Sequence, residues 1–258
     1  MTNNNPIGLF DSGIGGTSIW KAIHELLPNE STIYLADSKN APYGQKSKEE
    51  IIALSCKNVE ILLQQNCKLI VVACNTATTN AIKELRAKYD IPFIGIEPAI
   101  KPAALNSKTQ TIGILATKGT LNSTLFSQNL AKFQDIKIIE QVGHGLVQLI
   151  EQGNINSDEM HQLLQTYLQP MIEENIDYLV LGCSHYPYLI PQIKKILPDS
   201  IQIIDSGEAV ARQTQFVLEQ KLGFNGSKTS HHQFITNSDS RVLKDILKQH
   251  YDVIESDF

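Results

Sequence analysis

A doubly wound α/β fold, made of two similar parallel-sheet halves, is what this 258-residue chain predicts. Three observations carry that reading. Short apolar runs alternate with amphipathic stretches along nearly the whole chain, the pattern of successive βαβ units. Several of the apolar runs are continuous rather than alternating, which suits strands covered by helices on both faces. The order also repeats. The stretch IGLFDSGIGGTS from Ile7 is echoed by IGILATKGTLNS from Ile112, and KLIVVACNTAT from Lys68 by DYLVLGCSHYP from Asp177, at offsets of 105 and 109 residues. That interval is too long for a solenoid repeat. It fits a duplicated α/β unit whose two copies face one another.

Taken in order, the strands are expected at Ile7–Phe10, Thr32–Ala36, Leu69–Ala73, Phe93–Ile96, Thr111–Ala116, Ile136–Val142, Tyr178–Leu181 and Ile201–Ile204. Helical patterns fall between and after them. They cover Ser18–Leu27, Lys48–Gln65, Thr79–Tyr89, Ser123–Phe133, Gly145–Gln152, Asp158–Glu174, Tyr188–Leu197, Glu208–Leu222 and Val242–Gln249. Right-handed crossovers would put helices on both faces of each sheet. Pro98 and Pro102 interrupt the pattern near Glu97–Pro102, and the chain is expected to return to the first half after Asp205–Gly207. The expected domains are therefore 1–97 plus 208–258, and 98–207. Leu222–His232, with Gly223 and Gly226 among polar residues, reads as a surface loop.

Composition narrows the function. Hydrophobic residues make up 42% and charged residues 19%, the balance of an ordinary globular protein with material for a sizeable core. The net charge is -5 with no basic run, which argues against nucleic acid and against anionic membrane surfaces as partners. No apolar run nears the roughly 18 residues of a membrane helix. The polar start, Met1 to Pro6, lacks the basic head and apolar stretch of a signal peptide. A cytoplasmic location is the resulting expectation. Four cysteines in a chain of this length do not form a disulfide framework, so free thiols are expected in a reducing compartment.

In parallel α/β sheets, ligands bind beyond the carboxyl ends of the strands. Those positions hold Asp11-Ser12-Gly13-Ile14-Gly15-Gly16, then Asp37 with Pro42-Tyr43-Gly44, then Cys74-Asn75-Thr76, then Thr117 and Thr120, then Cys183-Ser184-His185. Cys56 and Cys67 lie in or just after a helix and read as small buried hydrophobes. Cys74 and Cys183 stand instead at equivalent strand ends of the two halves. Facing walls around a substrate would hold their Cα atoms too far apart for a disulfide. Cys-x-His alone supplies two of the four ligands of a zinc site, so no metal is expected. Two opposed thiols suit a different chemistry: a thiolate can take a proton from one face of a stereocentre while a thiol delivers one to the other. Nucleophilic catalysis by one cysteine would instead use one Cys, one His and an orienting group.

Asp11 and His185 are the expected assistants, tuning which thiol is ionised. Asp11 also reads as a turn or helix cap, and His185 as a satisfied structural histidine. Glu151, at a helix end, is placed to pair with His185 across the cleft or to stand in solvent. The glycine turn from Gly13 to Gly16, with Asp37 after the second strand, partly mimics a dinucleotide fingerprint, but Ser18 stands where that motif needs its third glycine. Its amides at a helix start suit an anion such as a substrate carboxylate.

The motifs DSGIGG, PYG, ACNTATT, IGILATKGT and GCSHYP, in this order from Asp11 to Pro187, resemble those of the glutamate racemases of the aspartate/glutamate racemase family. The resemblance implies two flavodoxin-like domains related by a pseudo-two-fold axis with the site between them. It implies cofactor-independent interconversion of L- and D-glutamate, supplying D-glutamate for peptidoglycan. In that reading Cys74 and Cys183 are the paired acid/bases, with Asp11 and His185 beside them. Asp11, Ser12, Tyr43, Gly44, Asn75, Thr76, Thr117, Ser184 and His185 hold the substrate. A homodimer is allowed but not required. Two positions depart from the family pattern: Ser184 stands where threonine is usual, and His144 where cysteine is common. The stretch before the first strand is short, so effector control through an N-terminal extension is not expected. The alternatives are an aspartate or hydantoin racemase of the same design, and an amino-acid-binding module without catalysis.

Overall fold

The computed structural model describes residues 2–227 and 229–258. The chain opens with β1 (Ile7–Asp11), α1 (Thr17–Leu26), β2 (Thr32–Ala36), α2 (Lys48–Gln64), β3 (Leu69–Val72), α3 (Asn75–Lys88) and β4 (Phe93–Gly95). It continues through α4 (Ile100–Asn106), β5 (Thr111–Ala116), α5 (Lys118–Leu121), α6 (Thr124–Leu130), β6 (Lys137–Val142), α7 (Leu146–Glu151), α8 (Asp158–Glu173), β7 (Tyr178–Gly182), α9 (Ile190–Ile193) and β8 (Gln202–Ile204). It closes with α10 (Gly207–Val217), β9 (His232–Thr236), α11 (Arg241–Ile246) and β10 (Val253–Glu255).

These strands form two wholly parallel sheets, ordered β10-β9-β2-β1-β3-β4 and β6-β5-β7-β8. Within them β2-β1-β3-β4 and β6-β5-β7-β8 follow one path. The repeat seen in the sequence is thus a repeat of topology: β3 and β7, which lead into Cys74 and Cys183, hold the same place in their sheets. Residues of β1, β3, β5 and β7 are almost all fully buried, as their unbroken apolar runs require of central parallel strands. No helix among the described residues is long and apolar enough to cross a membrane.

Several expectations are corrected. β9 and β10 fall just after the expected loop and the expected final helix, in stretches where no strand was expected. Their sequences, HQFIT and VIE, mix polar and apolar residues: β10 is the edge strand, and β9, between β2 and β10, is only partly buried. α4, a helix not expected, begins at Ile100 within the expected boundary near Glu97–Pro102. Pro102 sits in its first turn, where a missing N–H costs nothing. The expected helix Tyr188–Leu197 is broken into a 3-10 turn, Tyr186–Leu189, and the short α9, with a proline near the start of each. α3 begins at Asn75 rather than Thr79, because the Cys74 side chain accepts from the Ala77 N–H and caps the helix.

The end of the first sheet remote from the strand carboxyl termini is tied by a buried ion pair. Lys68 Nζ lies 2.7 Å from Glu30 Oε2, with the two side chains 1% and 3% exposed. Its remaining protons go to the carbonyls of Asn3 at 2.7 Å and Gly223 at 3.3 Å, while Glu30 Oε1 accepts from the Asn225 N–H at 2.7 Å. Removing one partner of such a pair strands a charge in the interior. Lys68→Met is therefore expected to destabilise the chain by roughly 3–5 kcal/mol, measured by urea unfolding. Lys68→Met combined with Glu30→Leu should recover most of that loss.

Candidate active site

Ten of the eleven expected site residues line one small buried cavity between the two sheets. Ser12, Tyr43, Gly44, Cys74, Asn75 and Thr76 come from the first, and Thr117, Cys183, Ser184 and His185 from the second, with Pro42 and Val147 completing the wall. The volume is about 10 Å³, close to the least that holds one water molecule. Admitting an amino acid therefore requires the two walls to part. Outside Pro42 and Val147 lies a cleft of about 430 Å³ that shares both residues.

The eleventh residue, Asp11, stands behind the wall and is fully buried. Its Oδ2 accepts from the N–H groups of Gly13 at 3.3 Å and Gly16 at 3.0 Å, and its Oδ1 from Ser184 Oγ at 3.1 Å. Burial pushes its carboxyl above the usual value, opposed by the nearby His185 and the Gly16 amide. Its reach across to Ser184 is one of several bonds between the halves. Ser18 Oγ donates to the Ser184 carbonyl at 2.8 Å, and Thr17 and Tyr188 hydroxyls meet at 2.5 Å.

The glycine turn has a role the sequence did not disclose. Its amides do not wait for a substrate anion. Gly13 and Gly16 serve Asp11, and the Ile14 N–H donates to Glu151 Oε1 at 2.7 Å. A Cβ on Gly13 would fall 2.0 Å from that same oxygen, and one on Gly15 would fall 2.1 Å from His185 Nδ1. Glycine is needed there because the second half's His185 and Glu151 press against the backbone.

His185 and Glu151 do pair, with Nε2 and Oε1 2.6 Å apart. Both belong to the second half, so the pair itself does not span the cleft. What spans it is Glu151, through Ile14 and through Ser38 Oγ, which donates to Oε2 at 2.9 Å. On its other side, His185 Nδ1 lies 3.8 Å from Cys183 Sγ, 3.4 Å from Ser184 Oγ and 3.8 Å from Asp11 Oδ2. Burial disfavours the charged imidazolium, but the Cys183 contact, Glu151 and Asp11 together outweigh it and hold His185 well above its ordinary value.

Cys74 sits in a different setting. Its thiol donates to Ser12 Oγ at 3.7 Å and its sulfur accepts from the Ala77 N–H at 3.4 Å. Burial, with the Asp11 charge adding to it, pushes the thiol well above its usual range, and these two bonds only partly offset the rise. Asn75, next in sequence, is 2% exposed, and neither its Oδ1 nor its Nδ2 has a partner. Thr76 Oγ1 meets Thr117 Oγ1 at 2.8 Å across the cleft, and Thr120 closes a triangle of hydroxyls at 3.0 and 3.3 Å.

Sequence reasoning left three supporting residues unassigned. Asp37 is fully buried and accepts from the Tyr43 hydroxyl, from Asn40 Nδ2 at 2.7 Å and from Asn237 Nδ2 at 2.5 Å. Asn58 Nδ2 donates to the Tyr43 hydroxyl at 3.1 Å. For Asp37 the signal was its place at a strand end. Asn58 and Asn237 carried none, since neither lies near a motif.

Against known proteins, residues 7–214 match the family described as Asp/Glu/Hydantoin racemase. The glutamate racemase of Ralstonia pickettii is 50% identical over 208 residues, covering 80% of this chain and 74% of that one. That of Ectopseudomonas mendocina is 48% identical over 217 residues, covering 83% and 82%. Among solved structures, the glutamate racemase isoform RacE1 of Bacillus anthracis superposes with a TM-score of 0.87 at 31% identity, over 98% of this chain and 97% of that one. The Escherichia coli glutamate racemase, solved with L-glutamate and the activator UDP-MurNAc-ala, gives a TM-score of 0.87 at 32% identity, over 97% of each. With its paired sheets, matched cysteines and these relatives, the chain belongs to the Asp/Glu/hydantoin racemase family.

Proposed function

We propose that this chain racemises glutamate with two thiols and no cofactor. The observation that carries the reading is that Cys74 and Cys183, at matching strand ends of two like sheets, line the same buried cavity. One sulfur, as thiolate, takes the Cα proton. The C–H bond breaks, its electron pair spreads into the α-carboxylate, and an S–H bond forms. The other sulfur, as thiol, gives its proton to the opposite face of that carbon. The configuration inverts and the two protonation states exchange, which readies the site for the reverse direction. The near 50% identity to glutamate racemases supports glutamate as the substrate. D-glutamate made in the cytoplasm for peptidoglycan is the corresponding role.

The two sulfurs stand in unlike surroundings. Cys74, pushed up by burial and by Asp11, rests as the thiol. An imidazolium at His185, 3.8 Å from the Cys183 sulfur, is the charge partner for a thiolate formed there. Asn75 supports the same reading. Leaving a buried amide unpaired costs about 1–3 kcal/mol, a loss that the carboxylate and ammonium of a bound amino acid would cancel. Donors aimed at the α-carboxylate also stabilise the carbanion, since that is where its charge collects. Asn75, Thr76, Thr117 and Ser184 are the groups placed for this, with Ser12, Tyr43 and Gly44 closing the pocket around the side chain.

Cys74→Ala and Cys183→Ala are each expected to abolish racemisation, followed by polarimetry. In deuterated water the wild-type chain should convert L-glutamate into D-glutamate carrying an α-deuterium, read by NMR, with no added cofactor. Retained turnover in either variant would refute the two-thiol scheme. Glu151→Gln removes an anion that favours the imidazolium, so the titration midpoint of His185, followed by nitrogen NMR, should fall. The same change should lower kcat by less than the roughly 10²–10⁴-fold that a general acid or base itself contributes, because Glu151 acts through His185.

A further inference from the structure

We infer that Asn237, in the carboxy-terminal segment, is a positioning residue for the substrate wall formed by Pro42, Tyr43 and Gly44; this rests on the reading of the site as an amino-acid racemase. Asn237 follows β9, the strand inserted between β2 and β10. It touches neither the cavity nor either cysteine, yet each of its polar atoms is engaged. The Oδ1 accepts from the Lys39 N–H at 2.9 Å, which fixes the orientation of the amide. The Nδ2 donates to Asp37 Oδ1 at 2.5 Å and to the Phe258 backbone oxygen at 3.3 Å. One side chain thus holds the loop that leaves β2 at two points and ties it to the segment after β10.

The link to the substrate runs through Asp37. Its carboxylate is fully buried, and the groups donating to it are all neutral: the Tyr43 hydroxyl, Asn40 and Asn237. A buried carboxylate is tolerated only while its hydrogen bonds are made. The Tyr43 hydroxyl in turn is shared between Asp37 and Asn58, which sets the ring that lines the cavity. Without Asn237 the Asp37 carboxylate would lose one of three donors and the loop backbone one of its anchors. Tyr43 and Gly44 would then be less well placed for the substrate. No atom of Asn237 bonds to either thiol, to His185 or to Glu151; Ser38 of the same loop is the one link to Glu151. The consequence is weaker substrate capture with chemistry intact.

The test is steady-state kinetics in both directions on the full chain. Asn237→Ala should raise KM for both glutamate enantiomers about tenfold, the scale of one hydrogen bond to a charged group, with kcat within about threefold of wild type. Asn237→Asp supplies a second readout, and it stays informative even where the alanine variant folds poorly. It would place a carboxyl against Asp37, with Tyr43, Lys39 and Asp257 as the surrounding charged or titratable groups. Two adjoining carboxyls share a proton at low pH and repel once both ionise. Its KM should therefore approach wild type near pH 6 and rise as pH increases, while the wild-type KM shows no such rise. An unchanged KM in a folded Asn237→Ala chain, a KM for Asn237→Asp that tracks wild type at every pH, or a loss confined to kcat would each overturn the inference. A wild-type chain that does not racemise glutamate would overturn the reading of the reaction, and this inference with it.

Discussion

The carboxylate of Glu151 is the contact on which the geometry of the site depends. It reaches the glycine turn of the first sheet through Ile14 and the loop after β2 through Ser38, and it holds the imidazole of His185 in the second. Other bonds between the two sheets, a shared apolar core and the packing of α3 on α5 and α6 also bring the halves together. A partly buried carboxylate shared by both sides adds a polar reference point among these contacts, because its hydrogen bonds weaken steeply once their geometry is lost. The glycines follow from this. Their lack of a side chain is what lets the carboxylate and the imidazole come within reach of the backbone.

The scaffold is symmetric but the chemistry is not. β3 and β7 occupy the same place in like-ordered sheets and deliver one sulfur each. After that the environments part. Cys74 is bounded by a hydroxyl, a helix amide and the field of Asp11; Cys183 by an imidazole under the influence of two carboxylates. A reaction that runs both ways needs one site that accepts a proton and one that holds it. In the proposed two-thiol scheme, unlike surroundings at like positions would provide that difference.

The central strands were legible in the sequence because burial on both faces leaves a continuous apolar run, and the site residues because they follow those runs. Asp11, Ser12, Cys74, Asn75, Cys183 and His185 could be found this way. β9 and β10 could not, since strands left partly exposed near one end of the sheet lose the unbroken apolar pattern. The purpose of the glycine turn was misread for a physical reason. Free amides at a helix start look the same in sequence whether an outside anion or the chain's own Asp11 and Glu151 will occupy them. Asn237 was illegible too, as its role rests on a neighbour 200 residues away. Only a folded chain brings those two together.

The capping of α3 by the Cys74 side chain has one more implication. A thiol is a weak acceptor for the first free amide of a helix, whereas a thiolate there also meets the positive end of the helix macrodipole. In the proposed two-thiol scheme, each transfer of a proton to or from this sulfur would strengthen or weaken the opening turn of a fourteen-residue helix. Protonation of Cys74 and fraying of that helix would then be coupled, and amide exchange at Ala77 would report the average charge on this sulfur.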